Sequence, residues 1–166
     1  ATGVVTIINQ PNFKLGETSL TEYAGNLYAF GGYTGSSASA LAKKYNLNTN
    51  SWESLPNMPV SLIQTSAVTV NNYIYITGGT FGTTKQYFLK FDPSTKTYTT
   101  LATPIINRVN SKLVVYNYTI YCLGGHFYNG STMTSTNDFS TYNESSNSWQ
   151  KLANMPFALS KTSATI

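Results

Sequence analysis

The chain is 166 residues long, a size that fits a single domain. Only 10% of its residues are charged and the net charge is +4, with Lys43-Lys44 the one adjacent basic pair, so it lacks the basic tracts of a nucleic-acid interface. No apolar run is long enough to span a membrane as a helix, and the lone cysteine, Cys122, leaves no internal disulfide among these residues.

Residues 1–17 carry GVVTIIN, QPN and FKLG in succession, and read as the last two strands of a preceding unit. A first full unit follows over 18–59: the run LYAF ends in Gly31-Gly32, Tyr45 and Trp52 stand seven apart, and LPNMP closes it. Ser36 to Lys44 holds several helix formers, but it aligns with a strand in the other copies, and the repeat outweighs local propensity. The second unit, 60–104, predicts strands at roughly 65–70, 73–78, 85–91 and 96–102. Asn71-Asn72 supplies its first hairpin turn, Gly78-Gly79 ends its second strand, and Asp92-Pro93-Ser94-Thr95 turns Phe91 towards Tyr98. The third unit, 105–156, repeats the order with SKLVVY, TIYCL, Gly124-Gly125, Tyr142, Trp149 and LANMP. Residues 157–166, ending in TSATI, open a following unit. The glycine pairs recur at intervals of 47 and 46 residues, and a period of that length sets the fold class.

Four short strands make a sheet with two apolar faces and no core of its own. Stacking such sheets face to face around an axis buries both faces and gives an all-β propeller. The aromatic pairs are then packing between blades. A glycine pair at a strand end permits positive φ and a close backbone approach. Cys122, within TIYCLGG, is expected as a small buried filler.

This pattern resembles the kelch repeat from Ser19 to Ile166, with a double glycine after a hydrophobic strand, then a tyrosine, then a tryptophan. Gly31-Gly32, Tyr45 and Trp52 match it, as do Gly124-Gly125, Tyr142 and Trp149; Gly78-Gly79, Phe91 and Tyr98 match with substitutions. The resemblance implies a kelch-like β-propeller, here a partial ring of about three full blades with partial blades at each end. It leaves three arrangements open: a piece of a longer chain, a ring completed by copies, or blades from another chain. Family members often carry an arginine shortly after the repeat-boundary proline, and many use basic residues at this rim to hold peptide carboxylates. The corresponding positions read as Leu62, Asn107 and Leu159, with Arg108 one place later as a candidate channel residue.

The loop after the third glycine pair is the longest and holds the only histidine. Its His126, Phe127, Tyr128, Asn129 and Asp138 are the candidate recognition residues, because insertions in one repeat gather on one face. One histidine, one cysteine and scattered carboxylates predict no metal site and no cofactor. The copper-oxidase branch of kelch-like propellers uses a histidine pair that this segment lacks. Sequons at Asn117, Asn129 and Asn143 are candidate glycosylation sites and favour an extracellular or cell-surface setting. The expected function is a non-catalytic protein-interaction or assembly module using a propeller face. The alternatives are a kelch-like propeller that binds or modifies carbohydrate, so that a glycan would be the ligand, and a structural part of a larger surface assembly.

Overall fold

The computed structural model describes residues 15–80, 85–129 and 132–164, without the side chains of Tyr128 and Asn129. The expected preceding strands over residues 1–14 lie outside the described residues. The described residues hold fourteen strands and no helix. They form three four-stranded antiparallel sheets and one separate two-stranded hairpin. Blade one is β1 (Ser19–Tyr23), β2 (Asn26–Phe30), β3 (Ala42–Asn46) and β4 (Ser51–Ser54). Blade two is β5 (Ile63–Val70), β6 (Tyr73–Gly79), β7 (Gln86–Asp92) and β8 (Thr97–Thr100). Blade three is β9 (Lys112–Tyr116), β10 (Thr119–Leu123), β13 (Phe139–Asn143) and β14 (Ser148–Lys151), and the hairpin β11 (His126–Asn129) and β12 (Thr132–Ser135) rises between β10 and β13.

Local chemistry explains the turns. Ala24-Gly25 and Asn117-Tyr118 take positive φ at both residues, the backbone that matches the twist of a tight hairpin. The turn from third to fourth strand is set each time by one side-chain oxygen. Asn46 Oδ1 accepts from the amides of Asn48 and Thr49, Asp92 Oδ1 from Ser94 and Thr95, and Asn143 Oδ1 from Ser146. Tyr45 and Tyr142 donate hydroxyl bonds to Asn50 and Asn147 at the end of their turns. Blade two has neither partner: Phe91 stands for the tyrosine and Lys96 for the asparagine, and Lys96 instead reaches Glu53 at 2.8 Å.

The aromatic positions pack between blades, as the repeat predicts. In blades two and three the third-strand aromatic meets the blade before it. Phe91 meets Phe30 at 5.6 Å between ring centres, and Tyr142 meets Phe88 at 4.9 Å. Trp149 packs on Phe88 at 5.0 Å and donates its indole N–H to Ala102 O. Two cores result. The first joins Tyr28, Phe30 and Leu62 to Ile74, Ile76, Leu89 and Phe91; the second joins Tyr75 and Phe88 to Ile120, Cys122, Tyr142 and Trp149. Cys122 is fully buried there, the filler role its sequence context predicts.

The glycine pairs are more varied than the repeat suggests. Gly31, Gly32, Gly124 and Gly125 take positive φ, but Gly78 and Gly79 do not, because β6 runs on through both and pairs them with Tyr87 and Gln86. Close approach is the property all three pairs share. A Cβ on Gly31 would lie 2.7 Å from Leu62 O, one on Gly124 2.5 Å from Leu159 O, and one on Gly78 2.9 Å from Thr65 Cγ2. In two repeats that approach is also a hydrogen bond, from Gly32 N to Leu62 O and from Gly125 N to Leu159 O. Neighbouring blades are therefore tied by backbone exactly where a side chain is excluded.

Candidate functional site: the mouth of the axial channel

The innermost strands β1 and β5 are laced by hydroxyls where a backbone ladder would otherwise run. Thr69 donates to Glu22 O at 2.6 Å, Thr21 and Thr69 hydroxyls meet at 3.1 Å, and Ser66 Oγ accepts from Leu113 N of β9. Together with residues 162–164 these strands line an open channel of about 570 Å³. Antiparallel pairing sets Ser19 opposite Phe30, Ile63 opposite Gly79 and Lys112 opposite Leu123. The starts of the inner strands and the glycine pairs thus share one end of the blades.

At that end a cavity of about 290 Å³ opens among Glu17, Gln64, Asn110 and Lys161. These four residues occupy the same place in successive repeats and all take left-handed backbone, with φ of 54°, 54°, 56° and 56°. None is glycine. Strained non-glycine backbone of this kind gathers at functional sites, where it aims side chains that a relaxed strand would turn elsewhere. The ring carries one carboxylate, two amides and one ammonium. Asn110 is 8% exposed and its Nδ2 has no hydrogen-bond partner among the described residues. The sequence reading missed this ring because nothing in side-chain type marks left-handed backbone. The signal available was the recurrence of Thr-Ser after three of these four residues, at 18–19, 65–66 and 162–163.

The expected recognition residues divide. His126 and Asp138 are buried, at 1% and 3% exposure, and offer no surface. His126 exchanges backbone hydrogen bonds with Val109, and burial lowers its pKa, with Lys161 adding to the effect and Glu17 opposing it. Phe127 is half-buried on β11, and β12 is exposed along its length. Tyr128 and Asn129 lie on β11, with side chains outside the described residues. The hairpin leaves directly from Gly125 and returns at Thr136, so it stands at the same end as the ring.

Arg108 is not on the channel. It is fully buried in blade three, ion-paired with Asp138, with Nη2 3.3 Å from both Cys122 O and Cys122 Sγ and 3.4 Å from Ser140 Oγ. The strand registers also correct the alignment. Leu113 opposes Cys122 as Ala67 opposes Ile76, which makes Arg108, not Asn107, the counterpart of Leu62. Blade three therefore holds Arg108 and Asp138 where blade two holds Leu62 and Tyr87. Among the sequons, Asn117 caps the exposed β9–β10 turn beside Tyr118, whereas Asn143 Oδ1 is committed to its own turn. Among the described residues no group of three His, Cys, Asp or Glu side chains is placed to hold a metal.

A second polar cluster joins blades two and three at the opposite end. Glu144 Oε1 accepts from Tyr75 Oη and Lys90 Nζ, each at 2.6 Å, and Lys90 also lies 3.7 Å over the Tyr73 ring. The bond from Lys90, then that from Tyr75, lowers the Glu144 pKa, while burial followed by Glu144 raises that of Tyr75.

Comparison with known proteins agrees with this architecture. Kelch-like protein 23 of Homo sapiens is 26% identical over 136 residues, which cover 80% of this chain and 23% of that protein. Kelch-like protein terF of Aspergillus terreus is 28% identical over 127 residues, 70% of this chain and 28% of that one. Kelch repeat and BTB domain-containing protein 2 of Cowpox virus is 32% identical over 120 residues, 70% of this chain and 20% of the viral protein. The chain thus spans about a quarter of the length of the relatives it matches. The family model for the Kelch motif matches residues 17–59, 63–105 and 107–156, the same three units that fold as blades, and the chain belongs to the kelch-repeat family.

Proposed function

We propose that the chain is a non-catalytic protein-interaction module and that its binding face is the end of the blades bearing the ring and the β11–β12 hairpin. The carrying observation is the ring itself: four equivalent residues held in left-handed backbone around one cavity. Kelch-like relatives make a protein partner the natural reading for a repeat module of this kind. The ring mixes one carboxylate and one ammonium with two amides, so it favours a polar segment with both donors and acceptors over a strongly charged one. The setting we propose is extracellular or at the cell surface, on the strength of the sequons; a mobility shift on removal of N-linked glycans, lost in Asn117→Gln, is the expected sign.

A photo-crosslinking residue placed at Gln64 tests the face, with one at Tyr118 on the opposite end as the control. Discrete protein adducts from position 64 in the source cells, absent from position 118, are expected. Equal adducts from both ends, or from 118 alone, would overturn the assignment.

A further inference from the structure

Each inner strand opens with the same three-residue phrase: Glu17-Thr18-Ser19, Gln64-Thr65-Ser66, Asn110-Ser111-Lys112 and Lys161-Thr162-Ser163. The third place is serine in three copies and lysine in one. Lys112 borders both the channel and the mouth cavity, which also share Thr18, Thr65 and Thr162 as walls. It is half-buried, and none of the ion pairs among the described residues includes it. Burial alone lowers its pKa, so its ammonium is partly stripped of water without a counter-charge.

Two further donors in the same walls lack acceptors. Asn110 Nδ2 is buried at the mouth and Ser19 Oγ is buried at the channel, and neither has a hydrogen-bond partner among the described residues. Buried donors are normally satisfied, so each of these calls for an acceptor in the cavity that it borders. The acids nearby do not supply it. Glu17 stands on the mouth wall and makes no ion pair among the described residues, and Glu22, at the channel, accepts from Gly25 N of its own turn. Lys161 adds a second ammonium at the rim.

We propose that the mouth cavity of the axial channel binds a small oxyanion (a carboxylate, phosphate or sulfate group) on Lys112, with Asn110 Nδ2 as a neighbouring donor. The two cavities have room for such a group, and hydroxyls line its approach. This goes beyond the interaction reading, since it needs no protein partner and stands or falls separately from it.

The test is a titration of the intact chain with sodium sulfate, sodium phosphate and sodium acetate at constant ionic strength, followed by backbone amide shifts of residues 110–113. Saturable shifts are expected for at least one anion. Lys112→Ser installs the residue that the other three copies carry, so the fold is kept, and it should weaken binding at least tenfold. Lys112→Arg should retain binding, and Lys161→Ser should weaken it by about twofold, because Lys161 stands only at the rim. Saturation by acetate alone would identify a carboxylate, and saturation by phosphate or sulfate a tetrahedral oxyanion; either supports the proposal. Linear shifts with all three anions, or Lys112→Ser binding as the unaltered chain does, would overturn it.

Discussion

Arg108 and Asp138 form a fully buried ion pair at a place where blade two uses Leu62 and Tyr87. Taking both charges out of water costs several kcal/mol each, and their attraction mainly cancels that cost. The pair therefore specifies more than it stabilises. Arg108→Leu alone leaves Asp138 only the longer pair with Lys151, 3.9 Å away, and Asp138→Tyr alone strands the guanidinium, which keeps only Cys122 and Ser140. Each single change should cost about 3–5 kcal/mol in urea denaturation, whereas Arg108→Leu with Asp138→Tyr should return to within about 1 kcal/mol of the starting stability. A double variant that stays several kcal/mol below the parent would show that the ion pair is more stable than the apolar pair replacing it, and strictly additive losses would show that the two residues are not coupled. Glu144 offers a milder case, because its side chain is 52% exposed. Its pKa is lowered in the fold by Lys90 and then Tyr75. The stability this gives is complete above the ordinary carboxylate value of about 4.3 and is lost as pH falls through the lowered folded value. With solvent screening, roughly 0–1 kcal/mol is at stake. Glu144→Gln should be less stable than the parent at pH 7 and indistinguishable from it near pH 2, as read by denaturant midpoints.

The strand ends carry what joins one blade to the next, and they show what the sequence could and could not reveal. The three glycine pairs, the aromatic spacing and the turn residues were all legible, since each rests on side-chain type repeated at one period. Their backbone was only partly so. Gly124 has φ of 59° and its added Cβ would meet Leu159 O at 2.5 Å, so Gly124→Ala combines left-handed strain with a clash against a carbonyl that has no rotamer to escape into. Gly78 lies in extended β6 without left-handed strain, and its added Cβ would meet the Thr65 methyl at 2.9 Å and Ile63 O at 3.1 Å. Gly124→Ala should therefore destabilise by more than about 2 kcal/mol and Gly78→Ala by less, although the two glycines occupy the same place in the repeat. Equal losses on thermal unfolding would mean that crowding alone, not backbone conformation, decides the position. The site was legible to a smaller degree. The hairpin could be located from loop length, but His126 and Asp138 read as loop residues because their burial comes from backbone pairing with Val109 and from Arg108, both distant in sequence. The ring of Glu17, Gln64, Asn110 and Lys161 has no shared side-chain chemistry, and its left-handed backbone emerges only from φ.

Across the described molecule, contact is largely nearest-neighbour. One core lies between blades one and two and another between blades two and three, and blade two alone contributes to both. Stability in such an array is close to a sum of blade and interface terms, so the unit with two interfaces opens last. Ile74, Ile76, Leu89 and Phe91 on one face, and Phe88 on the other, are fully buried. Amides of β6 and β7 should accordingly exchange more slowly with deuterium than those of β2 and β3 or of β10 and β13. Trp149→Ala separates the interfaces. It removes the contact with Phe88 and the bond to Ala102 O, a loss of about 3–5 kcal/mol for a buried tryptophan. Exchange should then quicken through β10 and β13 and in the part of blade two facing them, while β2 and β3, beyond the intact first core, keep their rates. Uniform acceleration of all three blades would instead show a single cooperative unit, in which the face-to-face cores transmit a local loss through the whole stack.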